Sequence, residues 1–191
     1  LSTNLTNLNF SGGGVLNGIL IGGETEYNQF VSTGEYSNTE GSFSGIIPKV
    51  SRHSAISNLH IKLATNTNYD IGNGNISGIL VGLNEGVIFN SSVQGTGVGI
   101  DSGNLGLISG RNSGLISYSY SSLEVVEVSA NSIAGIVNQN QGMILSCYFT
   151  GYINNTTASE DTITTTAIAA GIVVENLARG TGGEYENNFI F

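Results

Sequence analysis

Three segments of the chain align without a gap: GILVGLNEGVIFNSSVQG at 78–95, GLISGRNSGLISYSYSSL at 106–123 and AGIVNQNQGMILSCYFTG at 134–151. Three columns recur 28 positions apart, which are Asn84, Asn112 and Asn140, then Gly86, Gly114 and Gly142, then Ile88, Ile116 and Ile144. Self-similarity at a fixed period of this length is the signature of a repeat architecture, in which each unit stacks on its neighbour. The sequence therefore predicts a stack of coils with a period near 28 residues.

Weaker copies flank the three central ones. On the C-terminal side, AGIVVEN from Ala170 repeats the first half of the unit, and YENNFIF at 185–191 supplies the second half. On the N-terminal side, GIIPKV from Gly45 and AISNLHI from Ala55 make one coil, and GILIGG from Gly18 with YNQFVSTG makes another. These anchors predict about six coils in a single domain, 1–191, with extra length in loops at 65–75 and 154–166.

Each coil is predicted to contain the same parts. A short apolar strand reaches an Asn-x-Gly turn, where Asn and Gly tolerate the positive φ that other residues resist. A second strand with period-2 alternation follows, as at 88–93, and a variable loop returns the chain. Stacking places like residues above like, so the Asn column can form a ladder of side-chain amides. The predicted fold is all-β, a parallel β-solenoid (β-helix).

The pattern G-x-L/I-x-G-x-N-x-G-x-I, followed by a Ser/Tyr-rich strand ending in Gly, resembles the GLUG repeat of large bacterial surface proteins, among them filamentous-haemagglutinin-like adhesins. The resemblance covers about half of the chain well, from Gly78 to Gly151. It implies a parallel β-solenoid on or outside a cell, as part of a longer adhesin or fibre. It carries no catalytic residues with it.

Composition and charge narrow the classes of function. Of the 191 residues, 39% are hydrophobic and only 10% are charged, which favours a folded β protein over a disordered segment. The formal net charge of −9 and the five scattered Lys and Arg residues exclude the basic stripe of a nucleic-acid binder and disfavour an anionic membrane surface. No run approaches the ~20 apolar residues of a membrane span. The chain begins without an initiator Met or a signal peptide, so we expect a processed product or part of a longer protein.

Candidate residues for catalysis and metal binding are few. Glycosidase chemistry needs two carboxylates on one cleft, whereas Asp70, Asp101 and Asp161 fall in different predicted loops and none belongs to a paired motif. Asp101 ends GTGVGID, which resembles half of a calcium-binding Gly-rich repeat and makes Asp101 a calcium candidate. Cys147 aligns with Ser91 and Ser119, and a small side chain in that column explains it. We assign no catalytic residue, no cofactor besides this possible calcium, and no enzymatic activity.

Two sets of residues are candidates for binding and modification. The aromatic side chains at Tyr118, Tyr120, Tyr148 and Phe149 could form a surface stripe for carbohydrate or protein, although aromatic residues also simply suit strands. Glycosylation in a secreted eukaryotic protein is permitted by the Asn-x-Ser/Thr pattern at Asn4, Asn9, Asn75, Asn90, Asn154 and Asn155.

Three hypotheses follow from the sequence. The first is an extracellular or cell-surface structural or adhesive module, in which the open terminal coils either continue into a longer protein or stack end to end with other copies into a fibre. Its partners would be itself or neighbouring repeats, met through open terminal coils, or a host or surface glycan or protein, with no nucleic acid and no membrane insertion. The second is a carbohydrate-binding domain, and the third is a polysaccharide-cleaving enzyme, for which no carboxylate constellation is visible.

Overall fold

The computed structural model describes residues 14–23, 28–30, 39–40, 43–71, 76–154 and 168–177, and these contain strands and no helix. The all-β class is therefore confirmed. The strands in chain order are β1 Val15–Leu16, β2 Ile19–Ile21, β3 Asn28–Phe30, β4 Thr39–Glu40, β5 Phe43–Ser44, β6 Ile47–Val50, β7 Ala55–Ser57, β8 His60–Leu63, β9 Asn68–Asp70, β10 Ile76–Gly78, β11 Val81–Asn84, β12 Val87–Phe89, β13 Ser92–Asp101, β14 Asn104–Gly106, β15 Ser109–Asn112, β16 Leu115–Ser117, β17 Tyr120–Ser129, β18 Ser132–Ala134, β19 Val137–Asn140, β20 Met143–Leu145, β21 Tyr148–Phe149, β22 Tyr152–Ile153, β23 Ile168–Ala170 and β24 Val173–Asn176.

The strands form four sheets, and the chain contributes strands to sheets 1, 2, 3 and 4 in the same order in each repeat. Sheet 1 has the order β1-β6-β11-β15-β19-β24, sheet 2 the order β2-β7-β12-β16-β20, and sheet 3 the order β3-β8-β13-β17-β21. In sheet 3, β9 also pairs with β13 and β22 also pairs with β17. Sheet 4 has the order β4-β5-β10-β14-β18-β23. The pairings between described strands are parallel except for the antiparallel pair β4–β5, so the expectation of parallel sheets is confirmed.

Equivalent residues of successive repeats lie in register, and this register builds the core. In sheet 2, Ile56, Ile88, Ile116 and Ile144 are cross-strand partners in turn, and each is at most 1% exposed. Burying one such side chain contributes about 1.5–3 kcal/mol. Because neighbouring residues of a strand point to opposite faces, the columns on either side of these isoleucines face outward.

The second strand of the predicted unit is two strands separated by a corner. Alternation was expected to run through residues 88–93, but β12 ends at Phe89 and β13 begins at Ser92. The corner residue lies in the left-handed region in four successive repeats, with φ between 45° and 54°, at Asn58, Asn90, Tyr118 and Ser146. Asn enters this region readily and Tyr seldom does, so residue type marks the corner only in part of the column.

The predicted position of the first coil is wrong. Gly18 was aligned with Gly45 and Gly78, but the structure pairs Ile19 with Ala55, and Ala55 with Val87. The segment from Gly18 therefore occupies the place of β12, not that of β11. The apolar run resembles both strands of the unit, and the correct choice depends on β1, whose Val15 pairs with Lys49.

The segment 65–75 was expected to be a loop and contains a strand. Its residues 68–70 form β9, which pairs with β13 as a second partner of that long strand. Residues 72–75, most of the other predicted loop (155–166) and the proposed final half-coil (185–191) lie outside the described residues.

Candidate functional site

The Asn column forms a continuous ladder of buried amides along the inner side of sheet 1. Nδ2 of Asn84 donates to Oδ1 of Asn112 at 2.8 Å, Asn112 donates in the same way to Asn140 at 2.9 Å, and Asn140 donates to Asn176 at 3.0 Å. The first three side chains are 0% exposed. Each Oδ1 of these three also accepts the N–H of the Gly two residues on, at 3.2–3.3 Å. The ladder therefore satisfies both the amide side chains and the backbone of the bend.

The bend glycines are required by space and not by backbone angle. Positive φ was expected at the Asn-x-Gly turns, but Asn84, Asn112, Asn140 and their glycines all lie outside that region. A Cβ at Gly114 would lie 2.0 Å from the carbonyl oxygen of Gly86, and one at Gly142 would lie 2.2 Å from that of Gly114. Neighbouring repeats thus approach each other so closely here that no side chain fits.

A second polar column runs beside the corner and ends at the cysteine. The hydroxyls of Ser91 and Ser119 each accept a backbone N–H from the preceding repeat, at 3.2 and 3.1 Å, and donate to the carbonyl two residues earlier at 2.9 Å. Cys147 takes the next place, with Sγ 3.4 Å from the carbonyl oxygen of Leu145. Burial raises the pKa of the Cys147 thiol, which favours the unreactive protonated form. This arrangement fits the role of a small column residue.

Three of the four candidate binding aromatics lie on outer surfaces. In sheet 3, Tyr120 and Tyr148 are register partners whose rings stack with centroids 4.9 Å apart and planes 1° apart. At the corner, Tyr118 packs edge-on against Phe89 with centroids 5.6 Å apart. Tyr148 is 50% exposed and Tyr118 55% exposed, so both offer ring surface to a ligand.

Phe149 does not belong to this stripe. It follows Tyr148 in β21 and faces the other way, where its half-buried ring packs against the core. A Cβ at Gly135 or at Gly151 would lie 2.5 Å from that ring. Alternation along the strand places Phe149 inside, a consequence that the aromatic pattern alone did not reveal.

The outer face of sheet 2 is mostly apolar, which sequence reasoning missed. Ile19 and Ile21 are 71% and 67% exposed, and Met143 and Phe89 are also exposed on this face. Their columns are fixed by the register of β2 to β20. The signal was present in the two columns that flank the buried isoleucines, which are apolar except at Ser57 and Ser117.

A cleft on the outer side of sheet 1 gathers basic and apolar side chains, and sequence reasoning missed it too. Its volume is about 370 Å³, and its lining includes Phe43, Leu83, Arg52, Arg111, Glu85 and Gln141. Leu83 is the register partner of both Lys49 and Arg111, which places the two cations on the strands flanking it. Lys49 Nζ forms an ion pair with Glu85 Oε2 at 3.2 Å. Arg111 donates through Nε to Gln141 Oε1 at 3.2 Å, and through Nη2 to the same oxygen.

The carboxylates considered for hydrolysis or calcium are placed differently from expectation. Asp70 and Asp101 were assigned to separate loops, but they end β9 and β13 and are register partners on these adjacent strands. Asp161 lies outside the described residues. Within the parts of the chain that the structure describes, no group of three or more His, Cys, Asp or Glu side chains could hold a metal ion.

Two of the six glycosylation candidates can be located. Asn90 is exposed at the corner and donates through Nδ2 to Oδ1 of Asn58 at 2.7 Å, and Asn154 follows β22. The candidates at Asn4, Asn9, Asn75 and Asn155 fall outside the described residues. Among the described segments there is no helix of the length and apolarity needed to cross a membrane.

Comparisons with protein-family models, with curated proteins and with solved structures found no match.

Proposed function

We propose that this chain is an extracellular structural and adhesive module, a parallel β-solenoid of the kind the GLUG resemblance implies, whose coils assemble end to end. The observation that carries the proposal is the in-register continuation of the Asn ladder into β24. The pairing Gln139–Glu175 and Asn140–Asn176 repeats the geometry of the central repeats, although 36 residues separate these partners instead of 28. The register of sheet 1 is thus maintained although the interval between partner residues is eight residues longer.

The edge strands supply the means of association. β1 and β24 are the outermost strands of sheet 1 among the described residues, and Asn176 at this edge is exposed. An edge strand presents N–H and C=O groups that can pair with another strand. A further coil or a second copy of the chain, added at β24, would extend the sheet by the same parallel pairing. The aliphatic columns of the core would continue in the same direction.

Assembly is tested by analytical ultracentrifugation and negative-stain microscopy of the chain over a wide concentration range. We expect end-to-end oligomers whose mass rises with concentration. The variant Asn176→Lys, which places a charge at the edge strand, should shift the distribution toward monomer. Gln139→Lys adds the same charge one strand further in and serves as the matched control. A wild-type chain that stays monomeric at its highest soluble concentration, or equal effects of the two variants, would contradict the proposal.

A second candidate function is carbohydrate binding, which the stacked pair Tyr120–Tyr148 favours. Nε2 of Gln94 donates to the Tyr120 hydroxyl, so the Tyr120 ring is held in place. The Tyr148 ring, which stacks on it, is exposed. Fixed aromatic rings with polar neighbours suit the apolar faces and hydroxyls of sugars. A glycan array compares the wild type with Tyr148→Ala, and with Tyr152→Ala as a control at another exposed tyrosine. Binding that survives Tyr148→Ala unchanged removes this candidate.

A further inference from the structure

The cleft on the outer side of sheet 1 concentrates positive charge on a strongly acidic chain. The whole sequence carries a net charge of −9 and only five Lys and Arg residues. Three of those five, Lys49, Arg52 and Arg111, lie in or beside this cleft. With Glu85 as the carboxylate among them, the group has a formal charge of +2.

Two of the three cations are available for a ligand. Glu85 neutralises Lys49 through their ion pair at 3.2 Å. Arg111 is held by the neutral amide oxygen of Gln141, which orients its guanidinium without cancelling the charge. Arg52 is exposed in the turn between β6 and β7 and forms no ion pair with any described residue. Guanidinium groups bind carboxylates and sulfate esters through two parallel N–H bonds, so a pair of them favours an anionic ligand.

The remaining walls of the cleft suit a ring that carries hydroxyl groups. Phe43 and Leu83 supply the apolar part of the lining. Glu85 provides carboxylate oxygens and Ser113 a hydroxyl, and these can accept hydrogen bonds from a ligand's hydroxyls. A volume of about 370 Å³ falls within the range of small-ligand sites, which combine apolar surface with a few placed polar groups.

We propose that this cleft binds an anionic sugar, with its carboxylate or sulfate ester held between Arg52 and Arg111 and its ring against Phe43 and Leu83. The inference goes beyond the proposed function, because the cleft lies on the side of the stack and needs no contact between coil ends. A chain that stays monomeric can therefore still bind the sugar, and a chain that assembles can fail to bind it.

The test is an NMR titration of the isotopically labelled chain with glucuronic acid, glucose 6-sulfate and glucose. These probes share one ring and differ at C6, which carries a carboxylate, a sulfate ester or a hydroxyl. We expect saturable shifts at Arg111, Leu83 and Gln141 with one or both anionic sugars and much weaker shifts with glucose. Binding of glucuronic acid alone assigns a carboxylate site, and binding of glucose 6-sulfate alone assigns a sulfate site. Equal binding of all three, no binding, or equal binding of acetate and inorganic sulfate would overturn the proposal.

Variants separate the cleft from general electrostatics. Arg111→Gln and Arg52→Gln should each weaken binding about tenfold, as loss of a charge-assisted hydrogen bond does. Lys62→Gln makes the same change in net charge at an exposed site in β8, on sheet 3, and should leave the affinity within about twofold. Arg52 lies in an exposed turn, so Arg52→Gln tests the site even if Arg111→Gln disturbs folding. Equal losses in the Arg52 and Lys62 variants would refute a specific site.

Discussion

Replacing Asn112 by alanine is expected to destabilise the protein by about 4 kcal/mol. The side chain is fully buried and makes four hydrogen bonds. It accepts from Asn84 at 2.8 Å and from Gly114 N at 3.2 Å, and it donates to Asn140 at 2.9 Å and to the Met143 carbonyl at 3.2 Å. At a net value of about 1 kcal/mol each, these bonds amount to a large fraction of the ~5–15 kcal/mol by which domains are stable.

The measurement is guanidinium-induced unfolding followed by far-UV circular dichroism and by tyrosine fluorescence, since the chain has eight Tyr and no Trp. Gln139→Ala is the matched control, because Gln139 is an outward residue of the neighbouring strand and its bond to Glu175 is exposed. We expect the control to cost less than about 0.5 kcal/mol. A loss below about 1 kcal/mol for Asn112→Ala would refute the view that the amide ladder stabilises the stack.

The variant Asn112→Asp tests the same reasoning through pH. An ionised aspartate at this place accepts hydrogen bonds but cannot donate to Asn140 or to the Met143 carbonyl. Burial raises the pKa of a carboxyl above its value in the unfolded chain, so the folded form binds the proton more tightly. The variant should therefore be least stable at neutral pH and recover part of the loss as the pH falls. A loss that does not depend on pH would contradict this account.

Three other outcomes are expected. Gly114→Ala should lower the free energy of unfolding by about 3 kcal/mol or more, because its Cβ would lie 2.0 Å from a backbone oxygen. Gly171→Ala, which has open space around its Cβ, should lower it by less than about 0.5 kcal/mol in the same assay. Similar losses in the two variants would contradict the steric explanation. Cys147 should react with a thiol reagent much more slowly in the folded than in the unfolded protein, since burial raises its pKa; equal rates would show that the thiol is accessible. Burial also lowers the pKa of His60, so as the pH falls the unfolded chain binds a proton there before the folded chain does. The melting temperature should therefore fall as the pH drops through about 6.5. His60→Gln should reduce this pH dependence more than His53→Gln, which changes an exposed histidine and serves as the control.

The central repeats were predictable because their columns carry residue types that only a stacked geometry explains. Asn84, Asn112 and Asn140 recur at one spacing, and the structure places them in register with their amides joined. The reason for the glycines was not predictable, since Gly suits both a positive φ and a close approach of backbones. The two reasons can be separated only when the neighbouring repeat is in place, as the 2.0 Å at Gly114 shows.

Neither the corner nor the cleft could be predicted from the sequence, and the physical reason differs between the two. At the corner, Tyr118 adopts the left-handed conformation that its residue type disfavours, so the tertiary structure overrides the local preference. At the cleft, Lys49 and Leu83 are register partners 34 residues apart, whereas Leu83 and Arg111 are 28 apart. Because the longer interval includes β9 and residues outside the period, the sequence pattern did not place Lys49 and Arg111 on either side of Leu83.

The direction of the amide ladder restricts the symmetry of any assembly built on it. The amide nitrogens of Asn84, Asn112 and Asn140 each donate to the Asn of the following repeat, so these three side chains are a row of aligned dipoles. Its ends differ chemically, with Leu16 at the β1 edge and Asn176 at the β24 edge. A two-fold axis would bring two like ends together, and parallel strands could not then continue in the same direction. Copies joined through these edges must instead be related head to tail, by a translation with or without a rotation about the same axis, which is a heterologous contact that does not close.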